Sequence, residues 1–330
     1  MAAVLVAGGA GYIGSTVAHA LVEAGQRVVV LDDLSTGRRG LVPAAARFVA
    51  GDIADPALPD LLRSAGVEAA LHFAGSIIVP ESVRDPLKYY DNNVGRSRAL
   101  LASCLAADVR RFVFSSSAAV YGAPARSPIS EAVEPRPVNP YGRSKLMTEQ
   151  MLADVAAARP DFRYAALRYF NVAGADPALR TGQAPPLSTH VIKVAVEAAV
   201  GKRPFLEIYG VDWPTPDGTC IRDYVHVSDL AQAHVAALRA LRAGLPCAVL
   251  NCGYGRGSSV REVVAEVERA AGLALEVRAG PRRAGDPPEL VADPARLRAT
   301  LDWRPERDSL AAIVRDALAW ERRLIERGPP

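Results

Sequence analysis

The sequence predicts an α/β fold, a doubly wound parallel sheet followed by a smaller α+β C-terminal substrate lobe. Short apolar runs alternate with longer amphipathic segments through the first 170 residues. The runs are nearly continuous in apolar residues, as parallel strands are when helices cover both faces. After about residue 170 the rhythm breaks in a stretch rich in Pro and Gly. Alternation of this kind implies βαβ units joined by right-handed crossovers.

In chain order, residues 3–7 read as the first strand and 13–24 as the helix after it. Strands at 28–31 and 47–50 follow, then a helix over 57–65 and a strand at 69–73. A long helix is expected over 86–107, a strand at 112–115, a helix over 141–158 and a strand at 164–169. Residues 171–220 read as an irregular segment, and 223–241 as an apolar, helical stretch. A strand at 248–251, a helix over 260–271 and a last helix near 310–323 close the chain. The expected division is a dinucleotide-binding domain over 1–170 and a smaller lobe over 171–330. A chain return near 222–252 rejoins the large domain.

A length of 330 residues suits that division, and a half-hydrophobic composition supplies its core. Lys and Arg total 39 against 36 Asp and Glu, so the net charge of +3 gives no general reason to expect nucleic acid. Cys104, Cys220, Cys247 and Cys252 form no CxxC pair, and His226 and His234 lie in an apolar stretch. Free thiols, no metal site and a reducing compartment are expected. The first apolar run has no basic leader before it, and no run reaches the roughly 20 residues of a membrane helix. The expectation is a cytoplasmic protein with no membrane partner.

Gly8-Gly9-Ala10-Gly11-Tyr12-Ile13-Gly14 follows the first strand and opens the first helix. Glycines there allow a tight turn and a close backbone approach to a pyrophosphate, which the helix N-terminus then holds. Such a Rossmann-type site needs an acid at the end of the second strand. Asp32 stands there, with Asp33 beside it as the alternative. Either carboxylate accepts from ribose hydroxyls and repels a 2′-phosphate, which favours NAD over NADP. Arg38 and Arg39 read as a solvated loop. Asp52 and Ile53 end the third strand, where an adenine is flanked; Phe73, Ala74 and Gly75 follow the fourth, beside the pyrophosphate.

Tyr141 and Lys145 stand four apart in Tyr-Gly-Arg-Ser-Lys, on one helical face. A free phenol titrates near pH ~10, so a base at neutral pH needs about 4 kcal/mol of differential stabilisation of its phenolate. A Lys ammonium together with an oxidised nicotinamide supplies two cations for that. Ser115-Ser116-Ser117 ends the fifth strand, and strand ends converge with the next helix on the cleft. A Ser hydroxyl there holds the substrate oxygen and relays its proton.

With these motifs in place, the chain resembles the extended short-chain dehydrogenase/reductases and, within them, the UDP-galactose (UDP-glucose) 4-epimerases. The resemblance runs nearly end to end, through GGAGYIG (8–14), LDDLSTG (31–37), HFAG (72–75), YYDNNV (89–94), FSSSAAVYG (114–122), NPYGRSKLMTEQ (139–150), LRYFNVAGA (167–175), GTCIRDYVHVSDLA (218–231) and PRRAGDPPELVAD (281–293). It implies an NAD-dependent isomerase acting on a UDP-sugar, and a homodimer. By position it implies Tyr141 as the base, Lys145 as its partner and Ser117 as the assisting hydroxyl. Ser115, Asn93 and Tyr169 fall where the family contacts or supports the cofactor. Asn171, Arg222 and Arg282 fall where UDP is held, Tyr209 beside the uracil, Asp286 at a ribose and Leu290 beside the hexose. The chain departs from the family at Ala119, where many members have Thr, at Ile77, where some have Lys, and at His190, where others place Asn near the diphosphate.

Sugar 4,6-dehydratases and decarboxylases of the superfamily place an acid just after the Ser of this loop. Here Ser117-Ala118-Ala119-Val120-Tyr121 has none, which argues against them. A non-catalytic NAD-sensing protein on the same fold has no need of the Ser, Tyr and Lys together. An epimerase for an N-acetylhexosamine or a pentose remains the nearest alternative. The acid after the second strand yields a first prediction. Calorimetric titration should show NAD binding more tightly than NADP, and the reverse order would overturn the role given to Asp32 or Asp33.

Overall fold

The computed structural model describes residues 2–184, 188–283 and 285–330. The elements run β1 (Ala3–Ala7), α1 (Tyr12–Glu23), β2 (Arg27–Asp32), β3 (Arg47–Ala50), α2 (Leu58–Ala65), β4 (Val67–His72), α3 (Val79–Arg84), α4 (Pro86–Tyr90), α5 (Arg96–Ala106), β5 (Arg111–Ser117), α6 (Pro140–Ala158) and β6 (Arg163–Tyr169). Then come β7 (Asn171–Ala173), α7 (Val191–Ala199), β8 (Leu206–Tyr209), β9 (Ile221–Arg222), β10 (Tyr224–His226), α8 (Val227–Arg242), β11 (Ala248–Cys252), β12 (Ser258–Ser259), α9 (Val260–Ala271), β13 (Val277–Gly280), β14 (Glu289–Leu290), α10 (Ala295–Thr300) and α11 (Leu310–Arg327).

Seven parallel strands form the central sheet in the order β11-β6-β5-β4-β1-β2-β3. The order reverses between β1 and β4, and open α/β sheets carry their ligand crevice outside the strand ends at that point. Side chains alternate across the sheet. Val4 and Val6 join one apolar core with α1 and α8, whereas Leu5 and Ala7 join the other with α2, α5 and α6. Both faces are covered, which is why the strands read as unbroken apolar runs.

The structure refines several expectations. The helix over 86–107 is α4, a π turn at Asp91–Gly95 and α5. The fifth strand continues through all three serines, each of them buried. The segment 171–220 is not irregular throughout. It contains β7, α7 and β8, and α7 buries Ile192, Ala195 and Val196 on one face. The apolar stretch at 223–241 begins as strand β10, which pairs β7, and turns helical only at Val227. Strand β11 returns to pair β6 at the edge of the large sheet.

Helix α11 fastens the second half of the chain. Trp320 is 2 % exposed, its ring lies against Gly182, and its indole N–H donates to the Gln183 carbonyl at 3.0 Å. Glu321, one residue on, pairs with both Lys193 and Lys202. Trp320→Ala should therefore cost about 3–5 kcal/mol of stability in denaturant unfolding. A loss under about 1 kcal/mol would show that α11 is held elsewhere.

Candidate active site

Three residues meet at the carboxyl edge of β5. Asn139 caps α6, its Oδ1 accepting the Gly142 N–H at 2.8 Å, and Pro140 opens the helix. Gly142 lets that first turn approach the residues after the serine run, since a Cβ on it would lie 2.4 Å from the Ala119 carbonyl oxygen. Tyr141 is thereby brought to face Ser117, whose hydroxyl also accepts the Ala119 N–H at 3.2 Å. One turn on, the Lys145 ammonium donates to the Ser115 carbonyl at 3.0 Å. It lies 5.0 Å from the Phe114 ring centre and 5.9 Å from that of Tyr141.

Burial pushes the Tyr141 phenol above its ordinary value, and hydrogen bonding to Ser117 works the other way. Burial also pulls the Lys145 amine down to about 8, against the upward pull of Glu149. Tyr169, opposite Ser117 in the sheet register, has its phenol raised by burial. Burial is the larger of the two influences on Tyr141, so the phenol of the protein alone is held on the protonated side.

The glycine segment has the form a dinucleotide requires. Gly8 has φ +77°, and a Cβ there would lie 2.4 Å from the Ala74 nitrogen; a Cβ on Gly14 would lie 2.2 Å from the Gly8 oxygen. Gly11 offers no side-chain cap to α1, so the first-turn N–H groups remain available to an anion. Phe73 and Ala74 both donate their backbone N–H to the Ala7 carbonyl, at 2.8 and 3.1 Å. Tyr12 anchors the turn, its hydroxyl donating to the Gly174 carbonyl at 2.7 Å, and Ile13 packs into the core beneath.

Of the two acids, Asp32 faces the glycine loop: it accepts the Ala10 and Leu34 N–H groups, both at 2.9 Å. Asp33 is exposed and accepts from Ser35. Asp52 pairs with Arg96 and accepts the Ala54 N–H, beside buried Ile53. Asn93 sits in the π turn. Its amide spans Ser76 N–H (2.7 Å), Ser76 carbonyl (2.9 Å) and Ser144 hydroxyl (3.0 Å), tying the loop after Gly75 to α6.

A second group gathers on the small sheet β12-β9-β14. Arg222 donates to the Ile221 carbonyl and has Asp286 at 3.9 Å; Leu290 pairs with it across the backbone. Leu290 also packs on the cluster of Ala118, Val120, Tyr121, Ile129, Phe170 and Ala292, the underside of the serine turn. Asn171 donates its backbone N–H to Asp223 O, and His190 is exposed at the N-cap of α7. Arg282 is turned to the surface, where it pairs with Asp212 at 2.8 Å and covers Trp213. The arginine over Tyr209 is its neighbour Arg283, at 3.8 Å from the ring centre, which sequence reasoning passed over. Doublets of arginine give no signal of which one turns inward. Among the described residues no cluster of His, Cys, Asp or Glu could hold a metal, and the cysteines are free thiols.

The sequence pattern of the NAD dependent epimerase/dehydratase family matches residues 4–253. The chain belongs to that family. Family relatives include the UDP-glucose 4-epimerase of Azospirillum brasilense, 58 % identical over 97 % of this chain and 92 % of its own. Solved structures in the same mould include the UDP-glucose 4-epimerase of Brucella ovis in complex with NAD, at TM-score 0.94 and 47 % identity over 97 % and 98 % of the two chains. The epimerase of Stenotrophomonas maltophila, with bound NAD and formylated UDP-arabinopyranose, superposes at TM-score 0.95 and 38 % identity over 99 % of each.

The site geometry generates a kinetic prediction. Tyr141→Phe should lower kcat by on the order of 10²–10⁴-fold with KM near the wild-type value, as expected of a hydroxyl that serves in proton transfer. In the wild type, kcat/KM should decline as pH rises past about 8, where Lys145 loses its proton. A Tyr141→Phe enzyme with most of its turnover would remove Tyr141 from the mechanism.

Proposed function

We propose that the chain interconverts UDP-galactose and UDP-glucose by inversion at C4, with NAD as resident cofactor. The observation that carries the reading is the meeting of Ser117, Tyr141 and Lys145 beside a glycine cradle, in a chain 58 % identical to a UDP-glucose 4-epimerase. Gly8, Gly11, Gly14, Tyr12, Ile13 and Asp32 hold the cofactor, with Phe73, Ala74, Asn93 and Tyr169 around it. NAD, when bound, supplies the acceptor and donor of the C4 hydride and a positive charge. Tyr141 Oη takes the proton of the C4 hydroxyl and later returns it. The Ser117 hydroxyl holds the sugar oxygen and relays that proton, and the Lys145 ammonium favours the phenolate. Donors of this kind act where charge develops, in a site from which water is largely excluded.

Inversion requires the 4-keto sugar to turn and present its other face. The UDP must therefore be clamped and the hexose held loosely. Arg222, Asn171 and Asp286 support the clamp, with Arg283 and Tyr209 at the base. Planar, permanently charged arginine forks suit phosphate oxygens. This reading divides the chain into a cofactor-holding part over 1–170 and a UDP-sugar part over 171–330, with the return through 222–252. Exposed Val83, Leu87 and Met147, on α3, α4 and α6, support a homodimer through that helical face. The free cysteines support a cytoplasmic location.

Incubation of the pure protein with UDP-galactose should yield UDP-glucose with no net consumption of NAD. No product in the presence of NAD would overturn the reading. Leu290, intermediate in size and without hydrogen-bonding groups, should leave N-acetylated UDP-sugars as weaker substrates. Leu290→Gly should narrow the difference in kcat/KM, since one apolar clash is worth about 1–3 kcal/mol. Equal values for both sugar pairs in the wild type would show that Leu290 does not set the scope.

A further inference from the structure

Glu149 stands one turn beyond Lys145 and two beyond Tyr141, so the three side chains share a face of α6. It is 5 % exposed. Its carboxylate accepts from the Ser116 hydroxyl at 2.5 Å and from Arg168, through Nη2 at 2.6 Å and Nε at 2.9 Å. Arg168 also donates to the Tyr121 hydroxyl at 2.9 Å, and Tyr121 donates to Asn251 Oδ1 at 2.7 Å. The serine run therefore meets the helix at three successive positions. Ser117 faces Tyr141, the Ser115 carbonyl receives Lys145, and the Ser116 hydroxyl reaches Glu149.

A buried ion pair is weak evidence of stability, since apolar residues of similar volume often serve as well or better. What apolar residues cannot supply is an anion beside Lys145. The other titratable groups that face Lys145 or Glu149 are His72 of β4, Tyr164 and Arg168 of β6, and Tyr141, with Tyr121 of the turn after β5 reached through Arg168. His72 is neutral, its imidazole pushed down to about 3 by burial and the Lys145 charge. Burial keeps the three phenols protonated. Glu149 is the anion of this group, and its field on Lys145 opposes the effect of burial.

We propose that Glu149 is a positioning residue of the epimerisation, holding the strand end that carries Ser117 and supplying the counter-charge of the Lys145 ammonium. The proposal rests on the roles given above to Tyr141 and Lys145. Removing the carboxylate takes an anion from beside Lys145 and leaves the Arg168 cation uncompensated. Both changes favour loss of the Lys145 proton, so the alkaline limb of activity moves to lower pH.

In the NAD-loaded enzyme, Glu149→Gln should move that limb down by about one pH unit and lower kcat above pH 8 by about tenfold. KM for UDP-glucose should stay within about twofold, because Glu149 has no contact with the UDP clamp. Glu149→Asp keeps the anion and should bring the limb back toward the wild type. If Glu149→Gln fails to fold, Glu149→Gln/Arg168→Met removes both partners, a change that protein cores tolerate. It should show a smaller displacement in the same direction, because the Arg168 cation leaves together with the carboxylate. An NMR titration of 13C-labelled lysine side chains, in protein without substrate, reads the Lys145 proton independently of any turnover. Lys145 titrating at its wild-type pH in both variants overturns the proposal. A displaced Lys145 titration, with no UDP-galactose turnover by the wild type, overturns the functional reading and with it the role in epimerisation, and leaves only the coupling of Glu149 to Lys145.

Discussion

The Lys145 side chain is 4 % exposed, and an unpaired ammonium so far from water costs several kcal/mol. Its surroundings are arranged to reduce that cost without neutralising the charge. The Ser115 carbonyl accepts one proton, the Phe114 and Tyr141 rings offer their faces, and Glu149 lies a turn away. Each of these depends on α6 lying close against the end of β5. That closeness in turn depends on Gly142, because no larger residue fits against the Ala119 carbonyl. The cation, the serines and the phenol form one unit.

The two halves of the site are built on opposite principles. Around the glycine cradle, backbone and short side chains leave little room for movement, and the Asn93 amide makes three hydrogen bonds. Around Tyr209 and Arg222, by contrast, long arginine side chains lie over aromatic rings, and the strands are two residues long. Under the proposed function, a closely packed glycine cradle beside long arginine side chains suits a reaction in which the sugar must turn while its carrier stays bound.

What was legible in the sequence was local. The glycine spacing, the Tyr141–Lys145 repeat and the apolar strands each occupy a short window, and the physics of turns and helices acts at that range. Alternation and handedness implied a parallel sheet with helices on both faces, whereas the strand order comes from the structure. The π turn was not legible, because Asn93 pairs with Ser76 and Ser144, 17 and 51 residues away. Glu149 did carry a signal, four residues past Lys145, yet Arg168 on another strand gives it meaning. Helix α7 was obscured by the prolines and glycines around it, although its buried face has ordinary helical spacing.

Strand β11 pairs the outer edge of β6, and Asn251 within it reaches behind the serine turn to Tyr121. A ribosome releasing this chain in order therefore exposes residues 163–169 long before their neighbour exists. Until residue 252 has emerged, that edge is an unprotected row of backbone donors and acceptors, the kind of edge that recruits foreign strands. The two halves of the chain are thus not separate units of assembly. A fragment ending near residue 170 would carry the glycine cradle, Tyr141 and Lys145, but would be prone to aggregate.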